Sequence, residues 1–141
     1  MKKSREDIGM INYKAEMTCT KEEIAQLFLS VNWNSGKYPE KLYTSIKNST
    51  YKIFAYDGNK LIGLVTALSD QCINLFISYL VVAPEYQKQK IGTTLLNQIT
   101  TIKHFNRIEL ISDTKDKEFY LKNGFIEDGV GIFKIDWSRQ E

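Results

Sequence analysis

The chain has 141 residues, of which 43% are hydrophobic and 12% aromatic, enough apolar material for one compact domain over residues 1–141. Its net charge of +2, with 26% charged residues, is too small for the basic surface typical of nucleic-acid-binding proteins, so we expect no nucleic-acid partner. No apolar run approaches the roughly 20 residues that span a bilayer, and the charged N-terminus lacks the apolar segment of a signal peptide. We expect a cytoplasmic monomer or homodimer with no membrane partner.

The N-terminal part predicts a strand from Ile11 to Ala15 and then a helix. Thr20 and Glu23 have the spacing of a capping box, which places the start of that helix after Thr20. A loop from Asn32 to Tyr38 leads to a second helix through about Lys47, which begins at Pro39 because the fixed φ of proline suits a first helical turn.

Three β-patterned segments come next, separated by two polar turns. Asp57-Gly58-Asn59 has the chemistry of a hairpin turn, and Ser69-Asp70-Gln71 is a second polar reversal. We expect neighbouring segments to pair antiparallel. The segments are Tyr51 to Tyr56, Lys60 to Leu68 and Cys72 to Val82.

A strand, a polar turn and a helix then follow in immediate succession. The apolar run Leu80-Val81-Val82 must end at Ala83-Pro84, because proline has no N–H for the ladder. After the polar turn from Glu85 to Lys90, a helix begins that directs unpaired N–H groups and the positive end of its dipole at the edge of the strand. Anions bind at such a point, and Gly92 allows a close approach to the backbone, so a phosphate or pyrophosphate is the expected ligand. The apolar face of this helix consists of Ile91, Leu95, Leu96, Ile99 and Ile102.

The C-terminal part predicts a further strand from Arg107 to Ser112, parallel to the one before the long helix because a helix separates them. A last helix near Lys115 to Lys122 ends at Asn123-Gly124. A hairpin of Phe125 to Glu127 and Ile132 to Asp136 completes the pattern.

The cysteines and the histidine form no metal-site pattern. Cys19 and Cys72 lack the spacing of a metal or redox motif, and we expect free thiols that are buried or inert. The single histidine, His104, is expected at the end of the long helix. We therefore expect no metal site and no Ser/His/Asp triad.

The segment Gln87-Lys88-Gln89-Lys90-Ile91-Gly92, with its V-x-P-E-Y-Q lead-in, resembles the signature of the GNAT superfamily of acyl-CoA-dependent N-acyltransferases. That signature is Gln or Arg, two residues, Gly, one residue, then Gly or Ala. Lys90 stands where the first glycine belongs, and a φ above zero there would cost about 1 kcal/mol. Phe119-Tyr120-Leu121-Lys122-Asn123-Gly124-Phe125 looks like the C-terminal F-Y-x-x-x-G-F element of the same family. Without the second match, a solvated basic turn would remain the alternative for the first.

The resemblance implies an α+β fold of the α/β/α type, with a central mixed, mostly antiparallel sheet of six to seven strands, a V-shaped splay and about four flanking helices. It also implies acetyl-CoA as cosubstrate, with the pantetheine arm in the splay and the pyrophosphate at the helix start. The implied cofactor-binding residues are Leu80, Val81, Val82, Gln87, Lys88, Gln89, Lys90, Ile91, Gly92, Thr93 and Thr94.

Two residues are implied in catalysis. Tyr120 matches the tyrosine that donates a proton to the CoA sulfur, and its ordinary pKa of about 10 keeps it protonated; packing beneath the last helix is its alternative role. Asp113 lies near the position where the family often places an asparagine that contacts the cofactor arm. It could contact that arm, orient a water or act as the base, and it could also cap the last helix.

The implied acceptor pocket lies between the first two helices, where Trp33, Tyr38 and Tyr43 are candidates for an aromatic wall or for ordinary packing. Asp70, Ser78 and Tyr79 are candidates for handling the amine proton. From Leu61 to Ile132 the chain is similar to small bacterial and plant N-acetyltransferases of the arylalkylamine type. We expect direct attack by a small primary amine, since neither cysteine matches a family nucleophile. A protein lysine or N-terminal acetyltransferase and a non-catalytic acyl-CoA sensor remain alternatives.

Overall fold

The computed structural model describes residues 10–129 and 132–138. Five strands form one sheet in which spatial order follows chain order. The first four are antiparallel neighbours, and the fourth and fifth are parallel. The strands are β1 (Ile11–Lys14), β2 (Tyr51–Asp57), β3 (Lys60–Ser69), β4 (Asn74–Val82) and β5 (Arg107–Leu110). This mixed, mostly antiparallel sheet confirms the predicted fold class, although the described residues contain five strands and not six or seven.

Helices cover both faces of the sheet. Tyr79 and Val82 are three residues apart in β4, so their side chains point to opposite faces. Tyr79 packs edge-to-face on Phe28 of the first helix, whereas Val82 lies beside Gly92 of the third. The chain therefore has the predicted α/β/α layering. The helices are α1 (Lys21–Ser30), α2 (Pro39–Lys47), α3 (Ile91–Thr100) and α4 (Lys117–Lys122).

The helix starts follow the local sequence. The Thr20 side chain accepts a hydrogen bond from the Glu23 N–H, and the Glu23 carboxylate accepts one from the Thr20 N–H, which confirms the capping box. Pro39 occupies the first turn of α2 as predicted. The last helix is shorter than predicted, because Thr114–Asp116 forms a separate 3-10 turn before it.

The long helix ends earlier than its apolar pattern predicted. Thr100 and Thr101 donate side-chain hydrogen bonds to the carbonyls of Leu96 and Asn97, which competes with continuation of the helix. Ile102 follows the end of α3 and is 45% exposed, so its assignment to the apolar face of this helix was wrong. His104 likewise lies beyond the helix.

The predicted C-terminal hairpin is not formed by the residues that the structure describes. Strand β5 has only four residues, and Phe125 to Glu127 and Ile132 to Asp136 have no strand partner. Trp137 instead stacks on Tyr38 at the start of α2, with ring centroids 5.0 Å apart and an interplanar angle of 6°. At Trp137 the segment therefore contacts the start of α2. Residues 130 and 131, between the two halves of the predicted hairpin, lie outside the described ranges.

Cys19 is buried and Cys72 is exposed, and both are free. The described ranges contain no group of three or more His, Cys, Asp or Glu side chains that could hold a metal ion. Within the same ranges, no helix combines the length and the apolar character needed to cross a membrane.

Candidate active site

Strands β4 and β5 part halfway along β4. They pair from Asn74 with Arg107 to Ile77 with Leu110. The next residue, Ser78, pairs with no residue of β3 and forms a β-bulge. Its Oγ lies 2.8 Å from Oγ1 of the fully buried Thr66. A bulge bends its strand and increases the local twist. The bulge thus directs the rest of β4 away from β5 and opens a gap beside it.

Part of the main chain of β4 is turned towards this gap. The Ala83 N–H donates to the Ile62 carbonyl of β3 at 2.8 Å. Because main-chain groups alternate in direction along a strand, those of Val81 also face β3, and those of Leu80 and Val82 face the gap. The Val82 carbonyl already accepts a hydrogen bond from Nε2 of Gln87 at 3.0 Å. Leu80 therefore offers both its N–H and its C=O in the gap.

The turn between β4 and α3 contains two left-handed lysines. After the 3-10 turn Pro84–Tyr86, Gln87 is extended, Lys88 has φ 64° and Lys90 has φ 66°. Each left-handed lysine costs about 1 kcal/mol or more. The Thr94 N–H makes the first helical bond, to the Lys90 carbonyl at 3.0 Å, so the three preceding amides lie ahead of that bond. Residues 87–93 will be called the cradle, and the position where the family has glycine is left-handed in this chain.

A cleft of about 560 Å³ brings the cradle and the C-terminal F-Y element together. Ten of the predicted site residues line it: Trp33, Leu80, Val81, Val82, Gln87, Lys88, Lys90, Gly92, Thr93 and Tyr120. Seven are not among the lining residues: Tyr38, Asp70, Tyr79, Gln89, Ile91, Thr94 and Asp113. The cleft also contains residues to which the sequence assigned no site role: Val31, Tyr86, Lys115, Asp116 and Phe119. Asp116 precedes Tyr120 by four positions, and this helical spacing could have indicated that it shares a face with the tyrosine.

Gly92 keeps the middle of the cleft open. A Cβ added there would lie 3.4 Å from Cζ of Phe119 and 3.8 Å from Cγ2 of Val82. These are ordinary contact distances, so a methyl group fits. Any longer side chain would enter the space between β4, α3 and α4.

Tyr120 is a largely buried phenol at the end of the cleft formed by α4. Burial raises its pKa to about 12, and the negative charges of Asp116 and Asp113 act in the same direction. Its ring makes edge-to-face contacts with Phe119 at 5.1 Å and Phe125 at 5.9 Å between centroids. Tyr120 is therefore a neutral O–H donor at physiological pH, and it also has the packing role that the sequence left open.

An aromatic cluster forms the opposite wall. Trp33 lines the cleft, with Phe28 behind it at 5.5 Å and Tyr79 at 6.4 Å between centroids. Burial raises the pKa of Tyr79, while hydrogen bonds with Ser45 and Ser35 act in the opposite direction. Trp33 thus presents a ring that its neighbours hold in position.

Asp70 is engaged in its own turn. One carboxylate oxygen accepts the N–H groups of Cys72, Ile73 and Asn74, each at 2.9 Å, and the other accepts the Asn74 amide at 2.8 Å. These bonds hold the pKa of this carboxyl well below its usual range. Tyr38 is stacked on Trp137 as described above, and Tyr43 packs against the edge of the core.

Residues 49–127 match the model of the acetyltransferase (GNAT) domain family. An uncharacterized N-acetyltransferase of Pyropia yezoensis is 29% identical over 146 aligned residues, which cover 86% of this chain and 83% of that protein. A GNAT-family acetyltransferase structure from Streptococcus pneumoniae has 26% identity and a TM-score of 0.77, covering 92% of this chain and all of that one. The structure of an aminoglycoside N-acetyltransferase in complex with CoA shares the fold, with a TM-score of 0.69 at 13% identity over 91% of this chain and 95% of that one.

Proposed function

Since the chain belongs to the GNAT acetyltransferase family, we propose that it transfers the acetyl group of acetyl-CoA to a primary amine of a small molecule, by direct attack and with Tyr120 as general acid. The observation that carries this proposal is the common cleft, which the cradle and the Tyr120 phenol both line. An anion-binding helix start and a proton donor at the two ends of one cleft suit a cosubstrate with a diphosphate at one end and a thioester at the other.

The cradle fits the diphosphate of acetyl-CoA. Its first α3 amides precede the first helical hydrogen bond, and Lys88 and Lys90 both line the cleft. Gly92 leaves room for phosphate oxygens near the backbone. In the gap beside β4, the N–H and C=O of Leu80 would pair with pantetheine amides as a neighbouring strand would. When bound, acetyl-CoA supplies the acetyl group as a thioester, and CoA thiolate is the leaving group.

Tyr120 would hold its proton beside the sulfur. Because burial and two carboxylates keep the phenol neutral, its O–H can hydrogen-bond to negative charge that develops on the sulfur. A pKa of about 12 makes complete transfer to a thiolate uphill. We therefore assign the rate gain to this hydrogen bond, which strengthens as charge grows on the sulfur. The Tyr120 proton would pass to the sulfur only as the C–S bond breaks, and the proton that the acylated nitrogen loses would replace it.

The attacking amine must also lose a proton, since amines are mostly ammonium ions near neutral pH. Among the described residues that line the cleft, Asp116 supplies the carboxylate. Asp113 does not line the cleft, but its negative charge, like that of Asp116, raises the pKa of Tyr120. We propose that this pair receives the proton, directly or through water. Asp116→Asn and Asp113→Asn test the two carboxylates separately. The variant that lacks the base should show a shifted acidic limb in the pH profile of kcat/KM, and the other variant should keep the wild-type limb.

The Trp33 wall favours an acceptor with an apolar or aromatic body. The indole lies in the cleft with Val31 beside it, and both belong to the segment between α1 and α2. An aromatic face also attracts cations, so an amine could pass over it as an ammonium ion. The acceptor class we propose is a small amine attached to an apolar or aromatic group.

The experiment measures CoA thiol release from acetyl-CoA with a panel of primary amines: aralkylamines, polyamines, amino sugars and peptides. Tyr120→Phe should lower kcat about 100-fold, with little change in the Kd for acetyl-CoA, because only the donor is removed. Tyr51→Phe is the matched control, since Tyr51 is a half-buried tyrosine that packs on Phe105 and does not line the cleft. An unchanged kcat in Tyr120→Phe would remove the acid assignment. Saturable CoA binding without release of the CoA thiol with any of the amines would show that the protein binds CoA but is not a transferase.

A further inference from the structure

A buried tyrosine attaches the cradle to the turn between β2 and β3. In the sheet, this turn lies on the side of β4 that is away from β5. Tyr86 has no exposed surface, and its hydroxyl donates a hydrogen bond of 2.5 Å to Oδ2 of Asp57, the last residue of β2. Tyr86 is also the residue immediately before the cradle, and it lines the cleft. The start of the cradle is thus fixed to a turn that takes no other part in the site.

A second link runs parallel to the first. Nζ of Lys60, at the start of β3, lies 2.9 Å from Oε1 of Glu85 and 5.7 Å from the centre of the Tyr86 ring. This ion pair lowers the pKa of the Glu85 carboxyl. The ammonium group is exposed, so the ion pair itself is weak. The partly buried hydrogen bond from Tyr86 to the Asp57 carboxylate is therefore the stronger of the two attachments.

The cradle needs such an attachment because its backbone is strained. Non-glycine residues persist in the left-handed region only where surrounding structure fixes them, and two of them, Lys88 and Lys90, occur within three residues. On the helix side, the turn is fixed by the hydrogen bond from Thr94 to Lys90. On the strand side, the fixed points are the Ala83 and Gln87 hydrogen bonds and the buried Tyr86 ring.

We propose that Tyr86 and Asp57 form a positioning pair that holds the cradle in its strained, ligand-ready conformation, so that their hydrogen bond sets the affinity for acetyl-CoA. This inference rests on the proposed function, because it takes the diphosphate of acetyl-CoA as the ligand of the cradle. Without the bond, the turn can relax towards unstrained backbone conformations. The apparent Kd then rises in inverse proportion to the fraction of molecules that remain competent to bind.

The test is isothermal titration of the full chain with CoA alone, so that binding is measured without turnover. Tyr86→Phe keeps the ring in the core and removes only the hydroxyl, and it should raise the Kd about 10-fold. Asp57→Ala should match it, and Asp57→Asn, which keeps an acceptor oxygen, should recover most of the affinity. In activity assays the KM for acetyl-CoA should rise while the KM for the amine stays constant, a division that general loss of structure would not produce.

Tyr56→Phe is the matched control. Tyr56 is the neighbour of Asp57 in β2, is also buried, and accepts a hydrogen bond from Thr18 at 3.1 Å outside the cleft. Tyr56→Phe removes this hydrogen bond, and it should lower the melting temperature without changing the Kd for CoA. If Tyr86→Phe binds CoA as tightly as the wild type, the positioning role is overturned. If the wild type itself does not bind CoA, the proposed function fails first, and the two failures are distinguishable.

Discussion

Lys90 is the position at which this chain departs from the family signature, and the structure allows the consequence to be calculated. With φ 66° and ψ 13°, the residue pays a left-handed penalty of about 1 kcal/mol that glycine avoids. Its charge lies at the N-terminus of α3, where a cation is unfavourable by about 0.5 kcal/mol. Lys90→Gly should therefore stabilise the unliganded protein by about 1 kcal/mol or slightly more, after the greater flexibility of glycine in the unfolded chain is included.

The same substitution should weaken CoA binding. An exposed ammonium beside a diphosphate contributes about 1 kcal/mol, which corresponds to a Kd about 5-fold higher in the variant and a weaker dependence on salt. Thermal unfolding should show a rise in Tm of about 4 °C, and titration with CoA at two ionic strengths should show the loss of affinity.

Lys90→Ala separates the two effects, because alanine removes the charge but keeps the left-handed strain. It should bind CoA as weakly as Lys90→Gly and be about 0.5 kcal/mol less stable than that variant, since both lose the unfavourable charge and only glycine relieves the strain. Equal stability of the two variants would refute the calculation of backbone strain. Unchanged CoA affinity in both would show that the ammonium group does not act on the ligand.

Two other predictions follow from the cleft. Gly92→Val should raise the Kd for CoA at least about 10-fold by titration, whereas Gly92→Ala should change it much less, because a Cβ at 3.4 Å from Phe119 is accommodated; if the Gly92→Val variant binds CoA as tightly as the wild type, the ligand lies elsewhere. The pKa of Tyr120 is about 12 in the folded protein and about 10 in the unfolded chain, so its contribution to stability is complete below pH 10 and is lost between pH 10 and 12. Urea unfolding across that window should show a shallower decline for Tyr120→Phe than for the wild type, and identical declines would contradict the raised pKa.

Much of the local structure was predictable because short-range physics decides it. The capping box of Thr20 and Glu23, Pro39 at the start of α2 and the strand–turn–helix around Gln87 each depend on residues within a few positions of one another. The positions of the Gln87–Gly92 and Phe119–Phe125 motifs were predictable for the same reason. The left-handed φ of Lys90 could be anticipated from the glycine that the family has there.

Contacts between distant segments were less predictable. The role of Asp57 in fixing the cradle depends on the pairing of β2 with β3, which brings it beside Tyr86, 29 positions away along the chain. The hairpin expected after Phe125 is not formed by the described residues. The sequence of two segments does not show whether an edge of the sheet is available to them, and Trp137 stacks on Tyr38 of a distant part of the chain.

Neighbours along the chain were enough to predict most of the helices and strands, their order, and the residue types at the start of α3 and at Tyr120. Long-range packing sets three other features: β4 bends away from β5 at Ser78, Asp116 shares the cleft with Tyr120, and Tyr86 reaches Asp57. The physical reason is that a cleft is a gap between packed elements. Its shape depends on where pairing stops and on which side chains from distant segments fill the remaining space.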